Sequence, residues 1–404
     1  MSRRRDLSQQ QLPIEGINAV KSTLGLTQLD TDVGPAFMRS SQVPLSDSHG
    51  CVTLATLLSQ DVDALSVLAR NSSLPRVDWE RVLFLDTETT GLSHGAGTVA
   101  FMIGTAQIQG DAVITRQYFL PSPALEYPML YQLGLDLDGC DLVITFNGKS
   151  FDLPLLSSRY AMNRMASPLA GLQSFDLYHA ARRVWRDATS DCRLTTLEGL
   201  QLGFCRKDDV SGYQIPSLYF KFVRTMDPNL IAPVFNHNYW DVLTMMGLLS
   251  QCLSRAAPTC STCQLSPIES YNLARLHEAE ANIPLAERLY RQALTGPLPS
   301  RLRRQTYRRL SMIYKRDGRI EGAKEIWKAQ MSLGDASSLY AHIELAKVYE
   351  HRERRLLMAR EAVETALAIA RRAPAALRLA RTIDDLEHRL ARLNNKLEAS
   401  PELA

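Results

Sequence analysis

The chain changes character at Pro267. Up to about residue 254, apolar runs alternate with amphipathic helical stretches; beyond Pro267 the sequence turns to Ala, Leu, Arg and Glu with almost no strand signal. One core cannot serve both halves, because a sheet needs helices across its faces whereas a strandless segment must bury helix against helix. At 404 residues the chain also exceeds what one core usually covers, so two or three domains are expected. In the first half, runs at 82–85, 98–108, 112–120 and 142–146 read as strands, the first three close enough together for an antiparallel meander. Helical stretches follow at 151–162 and, after a short fifth run ending at Phe175, at 177–186, with more up to Leu253. Three early strands followed by strand–helix units predict a mixed central sheet flanked by helices, an α/β domain over 78–256. Residues 1–77, rich in Ser, Gln and Asp with one apolar helix-like piece around 54–68, read as a partly disordered extension without chemistry.

The second half repeats. Asn272-Leu-Ala-Arg-Leu-His-Glu278, Arg309-Leu-Ser-Met-Ile-Tyr-Lys315 and Glu344-Leu-Ala-Lys-Val-Tyr-Glu350 align on Leu273, Leu310 and Leu345, and each is followed by a small residue (Ala286, Ala323, Ala359) and then a bulky one (Tyr290, Trp327, Val363). A period near 34 residues with paired helices is the tetratricopeptide signature. On this reading 267–372 is an all-α repeat domain, and 373–404 supplies a capping helix and tail with Ile383, Leu386, Leu390 and Leu393 on one face.

Composition narrows the partners. A net charge of +3 is too small for the overall field to attract nucleic acid, so affinity must come from local patches. The N-terminus MSRRRDLSQQQLPIEG has no apolar core behind its basic start, which argues against a secretory signal. The longest uncharged apolar stretch, 98–108, is about half of the ~20 residues a membrane helix needs. No membrane and a cytoplasmic location are therefore expected. Seven cysteines then default to thiols; Cys252 with Cys260-Ser-Thr-Cys263 resembles half of a zinc site, but no second pair follows. A one-signed run, Arg301, Arg303, Arg304, Arg308, Arg309, Lys315 and Arg316, reads as a solvated face, a nucleic-acid track or a dock for an acidic partner.

Chemistry concentrates in three acidic motifs. Asp86-Thr-Glu88-Thr-Thr-Gly-Leu92 lies directly behind the apolar run Val82-Leu-Phe-Leu85. Residues two apart on a strand share a face, so Asp86 and Glu88 point the same way about 6 to 7 Å apart, and like charges converging there need a proton or a cation between them. Asp152 ends Phe146-Asn-Gly-Lys-Ser-Phe-Asp152 at a helix start, and His237 and Asp241 in His237-Asn-Tyr-Trp-Asp241 are four apart on one helix face. Singly, each has a plainer reading: a turn, a helix cap, a surface pair. Jointly they do not.

These motifs resemble the three exonuclease motifs of the DEDD class in the ribonuclease H-like superfamily. With SHGAGTVAFMIG, ITFNGKSFDLPLLSSRYAMNR, FDLYHAARRVWR, CRLTTLEGLQLGF and IPSLYFKFVRT, the chain is more closely similar to the YprB-type ribonuclease H-like proteins over roughly 78–254, whose members often carry tetratricopeptide repeats behind the nuclease-like domain. The resemblance implies that Asp86, Glu88, Asp152 and Asp241 are metal-binding carboxylates. It also implies a metal-dependent exonuclease acting on single-stranded DNA or RNA, 3′ to 5′, with a pair of Mg²⁺ or Mn²⁺ ions about 3.5 to 4 Å apart. An all-oxygen ligand set suits such hard ions better than zinc. His237 is the expected base, histidine being the side chain that titrates near neutrality. Here the chain departs from the class pattern, in which the histidine stands one residue farther from the last Asp or a tyrosine takes this place; Tyr239 is too close to Asp241 to substitute. Asp176 reads as a helix cap near the site. Asn147 and Lys149 are candidate phosphate contacts, Arg159 flanks the same motif, and Phe151 or Tyr178 offers a ring for a terminal base. The competing expectation is a tetratricopeptide scaffold whose nuclease-like domain binds nucleic acid or a protein partner without cutting. A dinucleotide enzyme would need a glycine-rich loop after the first strand, which the sequence lacks.

Overall fold

The computed structural model describes residues 14–71, 77–91, 97–257, 265–332, 338–373 and 379–399. The chain forms two compact units, 1–264 and 265–404.

The first unit is built on a seven-stranded sheet in the order β1-β2-β7-β6-β5-β8-β9. Its strands are β1 (Thr27–Thr31), β2 (Gly34–Pro44), β5 (Val82–Thr89), β6 (Ala100–Gln109), β7 (Ala112–Phe119), β8 (Leu142–Thr145) and β9 (Gln173–Asp176), with β3 (Ser48–His49) and β4 (Val52–Thr53) pairing separately. β5, β6 and β7 form the antiparallel meander, and β8 and β9 add parallel to β5. Parallel strands need crossovers, and these are α3 (Glu126–Leu137) before β8 and α4 (Asp152–Met162) before β9. The other helices are α1 (Ile14–Leu24), α2 (Asp63–Ala69), α5 (Leu177–Trp185), α6 (Leu194–Leu197), α7 (Ile215–Thr225) and α8 (Ala232–Ala256). Near-continuous burial along β5, β6 and β8 matches a sheet covered on both faces.

The expectation of a disordered extension over 1–77 is corrected for 27–44. These residues are strands, and β2 pairs with β7 from Phe37 against Phe119 to Pro44 against Ala112. The apolar signal was missing because Arg39, Ser40, Ser41 and Gln42 fill both faces; backbone hydrogen bonding to β7 and the burial of Ala36 and Phe37 hold the strand instead. Gly34, at φ +123°, closes the β1–β2 turn in a backbone region that L side chains rarely adopt.

Among its described residues the second unit has helices and no strand: α9 (Pro267–Ala279), α10 (Ile283–Leu294), α11 (Ser300–Arg316), α12 (Ile320–Met331), α13 (Leu339–Val348), α14 (Leu356–Arg372) and α15 (Ala380–Ala399). A Ser266/Glu269 capping box with Pro267 opens α9. The repeat positions form its core: Leu273, Leu310, Ala286, Ala323, Ala359, Tyr290, Trp327 and Val363 are fully buried, and Leu345 nearly so. Small residues let paired helices approach and large ones fill the gap. α15 packs Leu386 and Leu393 against α14. Beyond that apolar face, Glu350 holds it through Arg389 at 2.6 Å, Arg392 at 2.9 Å and Lys396 at 2.8 Å.

Candidate metal centre

β8 pairs with β5 only as far as Phe84 against Ile144, whereas β6 stays paired with β5 to Thr89. The strand therefore projects past its parallel neighbour, and Asp86 and Glu88 lie on the stretch that is paired with β6 but open on the β8 side. A pocket of about 330 Å³ opens there, lined by Asp86, Thr87, Glu88, Asn147, Phe151, Asp152, Ile215 and Pro216 among others. It sits beyond the carboxyl ends of parallel strands, where α/β sheets characteristically bind ligands.

Three elements bring side chains to this point. α8 supplies His237, Asn238 and Asp241. Asn238, fully buried, donates through Nδ2 to Asp86 Oδ2 at 2.9 Å, while its Oδ1 accepts from Gln117 Nε2 at 3.1 Å. The Gln117 donor fixes which end of the Asn238 amide faces the carboxylate. Space for that amide exists only because Gly104 stands opposite Asp86 on β6: a Cβ there would lie 2.1 Å from Asn238 Oδ1. α4 begins at Asp152, which accepts a hydrogen bond from the Thr87 hydroxyl; the capping position is Phe151, so Asp152 opens the helix without capping it. The segment after α6 supplies Arg206 and Asp209. The buried Arg206 guanidinium reaches Asp241 Oδ1 at 2.6 Å and Glu198 Oε2 at 2.7 Å. His237 sits with Nδ1 2.8 Å from Asp209 Oδ1 and Nε2 3.3 Å from Asp241 Oδ2 and 3.9 Å from Glu88 Oε1.

The electrostatics are those of an anionic cluster short of cations. Burial first, then repulsion from Asp241 and Asp152, pushes the Asp86 carboxyl well above its ordinary range, against the Asn238 hydrogen bond. Burial followed by the charges of Asp86, Asp241 and Asp152 does the same to Glu88. Asp152 is pushed up to about 6 by burial, opposed by Thr87 and backbone donors. Asp241 is raised by burial although His237 and Arg206 pull the other way. Glu88, His237 and Asp241 bring one potential ligand atom each within 4.8 Å of one another. Oxygen donors of this kind, buried and unable to donate to one another once ionised, fit a hard divalent ion.

Sequence reasoning placed Asp86, Glu88, Asp152, His237 and Asp241, and the fold brings all five together. Asn147 lines the pocket in a left-handed conformation, φ +66°. Its amide and that of Lys149 donate to Asp176 at 2.8 and 3.2 Å, and Asp176 also caps α5 by accepting from Tyr178 N. Asp176 thus anchors the loop that carries the second motif. Lys149 is exposed and outside the pocket lining. Arg159 faces elsewhere, making paired 2.6 Å hydrogen bonds to Glu126. Tyr178 packs edge-on against Phe146, whereas Phe151 lines the pocket 43% exposed. Much of the one-signed basic run is engaged inside the helical unit: Arg309 on Glu278, Lys315 on Glu344, and Arg308 over Tyr340. Cys260 and Cys263 lie outside the described residues; Cys252 is buried in α8.

Arg206, Asp209, Glu198 and Asn238 were not anticipated. Asn238 was adjacent to a recognised motif; Arg206 and Asp209 sit in Cys205-Arg-Lys-Asp-Asp209, whose charges look like an ordinary solvated loop. His49 of β3 adds a further unexpected contact, lying 3.3 Å from Glu198 Oε1 and 2.8 Å from Thr244 Oγ1, so the N-terminal segment braces the layer behind the centre.

A family profile described as RNase_H superfamily matches residues 83–252, a span that includes every residue of the acidic cluster. Over 368 residues the chain is 33% identical to the "Uncharacterized protein YprB" of Bacillus subtilis (strain 168), covering 89% of this chain and 86% of that one. The chain belongs to the YprB family. Its YprB-type sheet unit is an RNase H-superfamily domain, and a helical unit follows it. Among solved structures, the family B DNA polymerase of Pyrobaculum calidifontis is similar at 13% identity with a TM-score of 0.34, over 59% of this chain and 29% of the polymerase, a likeness too remote to carry argument. No helix among the described residues is long and apolar enough to cross a membrane.

Proposed function

We propose that the sheet unit is a DEDD-type, metal-dependent exonuclease of single-stranded nucleic acid, working in the cytosol from the 3′ end. The observation that carries this reading is the convergence of four carboxyls raised by burial: Asp86, Glu88 and Asp152 line one pocket, and Asp241 stands beside them, within reach of Glu88. These four would hold Mg²⁺ or Mn²⁺, which when bound would neutralise the phosphate and make a water more acidic. Asn238 and Gln117 orient the Asp86 carboxylate, Thr87 orients Asp152, and Arg206 orients Asp241. Asn147 would offer its side-chain amide to a phosphate, its backbone N–H being taken by Asp176; Lys149, exposed and outside the pocket lining, would add charge nearby, and the exposed Phe151 ring would present a stacking face beside the carboxylates.

We further take the helical unit to be a tetratricopeptide-like array that docks a protein partner, on the strength of its repeated small and large core positions. One observation favours the non-cutting scaffold as a second reading: Arg206 already bonds one oxygen of Asp241, partly doing a metal's work. The test is digestion of end-labelled DNA and RNA oligonucleotides with Mn²⁺ or Mg²⁺, together with calorimetric titration of both ions. Shortening that is lost in Asp86→Ala supports the nuclease; activity persisting in that variant defeats the site assignment, and absence of ion binding favours the scaffold.

A further inference from the structure

His237 has two ring nitrogens with different surroundings. Nδ1 is 2.8 Å from Asp209 Oδ1, and an ionised carboxylate only accepts, so the ring's hydrogen lies on that side. Nε2, the other ring nitrogen, faces Asp241 Oδ2 at 3.3 Å and Glu88 Oε1 at 3.9 Å.

The spacing is that of ligands to one ion. Two donors at the usual ~2.1 Å from a divalent transition ion stand about 3 to 4.2 Å apart, depending on whether they are adjacent or opposite. Both Nε2 separations fall in that interval. The spacing along α8 agrees, since two ligands four residues apart share a helix face. Asp209 completes the pattern: metal-bound imidazoles characteristically donate their other N–H to a carboxylate, which fixes tautomer and ring angle. Arg206 holds this carboxylate in turn, with Nη1 3.4 Å from Asp209 Oδ2 and 3.4 Å from the His237 carbonyl.

We propose that His237 is a metal ligand through Nε2, forming with Glu88 and Asp241 a mixed nitrogen and oxygen site, with Asp209 as the positioning residue behind it. The proposal rests on the metal-dependent reading above and changes the role of His237 from base to ligand. It also bears on the preferred ion: a nitrogen donor disfavours Mg²⁺, which prefers oxygen and retained water, relative to first-row transition ions, among which Mn²⁺ is the hardest and serves as the spectroscopic probe.

The deciding measurement is electron spin echo envelope modulation of Mn²⁺ bound to the full chain, which detects directly coordinated ¹⁴N. The expected wild-type spectrum shows imidazole modulation, and His237→Ala removes it. Asp209→Asn should weaken Mn²⁺ binding by roughly 10- to 100-fold, move Mg²⁺ binding less, and be rescued in part by Asp209→Glu. Mn²⁺ bound without nitrogen modulation overturns the ligand role and leaves the four-carboxylate nuclease standing. Failure of the wild type to bind Mn²⁺ at all overturns both. Because the wild-type spectrum decides the matter, a variant that fails to fold does not obscure it.

Discussion

Asp152→Asn should stabilise the metal-free protein and destabilise the metal-loaded one. The Asp152 carboxyl rises from 3.8 to about 6 on folding, chiefly through burial. At about 1.36 kcal/mol per pH unit, the folded state carries about 3 kcal/mol of penalty for ionising this side chain. Because the folded value lies above the unfolded one, the stability it contributes is fully present below about pH 3.8 and is lost as the pH rises through about 6. Asparagine removes the charge yet keeps the carbonyl that accepts from Thr87, and the stronger hydrogen bond of the ionised carboxylate is already contained in the net shift. In chelator, the variant should therefore gain about 3 kcal/mol over wild type at pH 8 and only about 0.5 kcal/mol at pH 4. With saturating Mn²⁺ at pH 8 the order reverses, because an ion at 1,000 times its Kd adds about 4.1 kcal/mol to the form that keeps the ligand. Urea-dependent hydrogen exchange of the β5 and β8 amides reports this unit alone and avoids assuming that both units unfold together. A variant no more stable than wild type at pH 8 in chelator, or no reversal with Mn²⁺, would refute the view that Asp152 is a strained, ion-seeking carboxylate.

Other consequences are equally direct. Arg206→Met strands Glu198 and Asp241 in a buried layer, and urea unfolding should show a loss of roughly 3 to 5 kcal/mol. Gly104→Ala forces a methyl to within 2.1 Å of Asn238 Oδ1; it should cost about 1 to 3 kcal/mol and lower Mn²⁺ affinity by calorimetry through displacement of the Asp86 partner. Gly50→Ala would place a Cβ 2.0 Å from the Leu202 carbonyl at φ +64°, and proteolysis should then find the 45–54 segment first. Glu350→Gln weakens the three-cation tether of α15, so the amides of α15 should lose exchange protection while those of α9 and α10 do not.

The sequence by itself determined whatever depends on short-range pattern. Apolar runs bounded by turns marked β5 to β9, the small-and-large alternation marked the repeat core, and Asp86 with Glu88 needed only the two-residue period of a strand to share a face. That Asp152, His237 and Asp241 join them was legible only because their motifs resemble a known set; nothing local to Asp152 says which strand it will stand beside. Tertiary structure alone decided the rest. β1 and β2 became strands because β7 offered a free edge, and their own side chains carried no apolar period to announce it. Asp209 and Arg206 gained their roles from a loop folding back onto α8, 28 and 35 residues away in sequence. Sequence spacing predicts which residues share an element, but burial, desolvation and the pairing of charges across elements exist only once the chain has closed on itself.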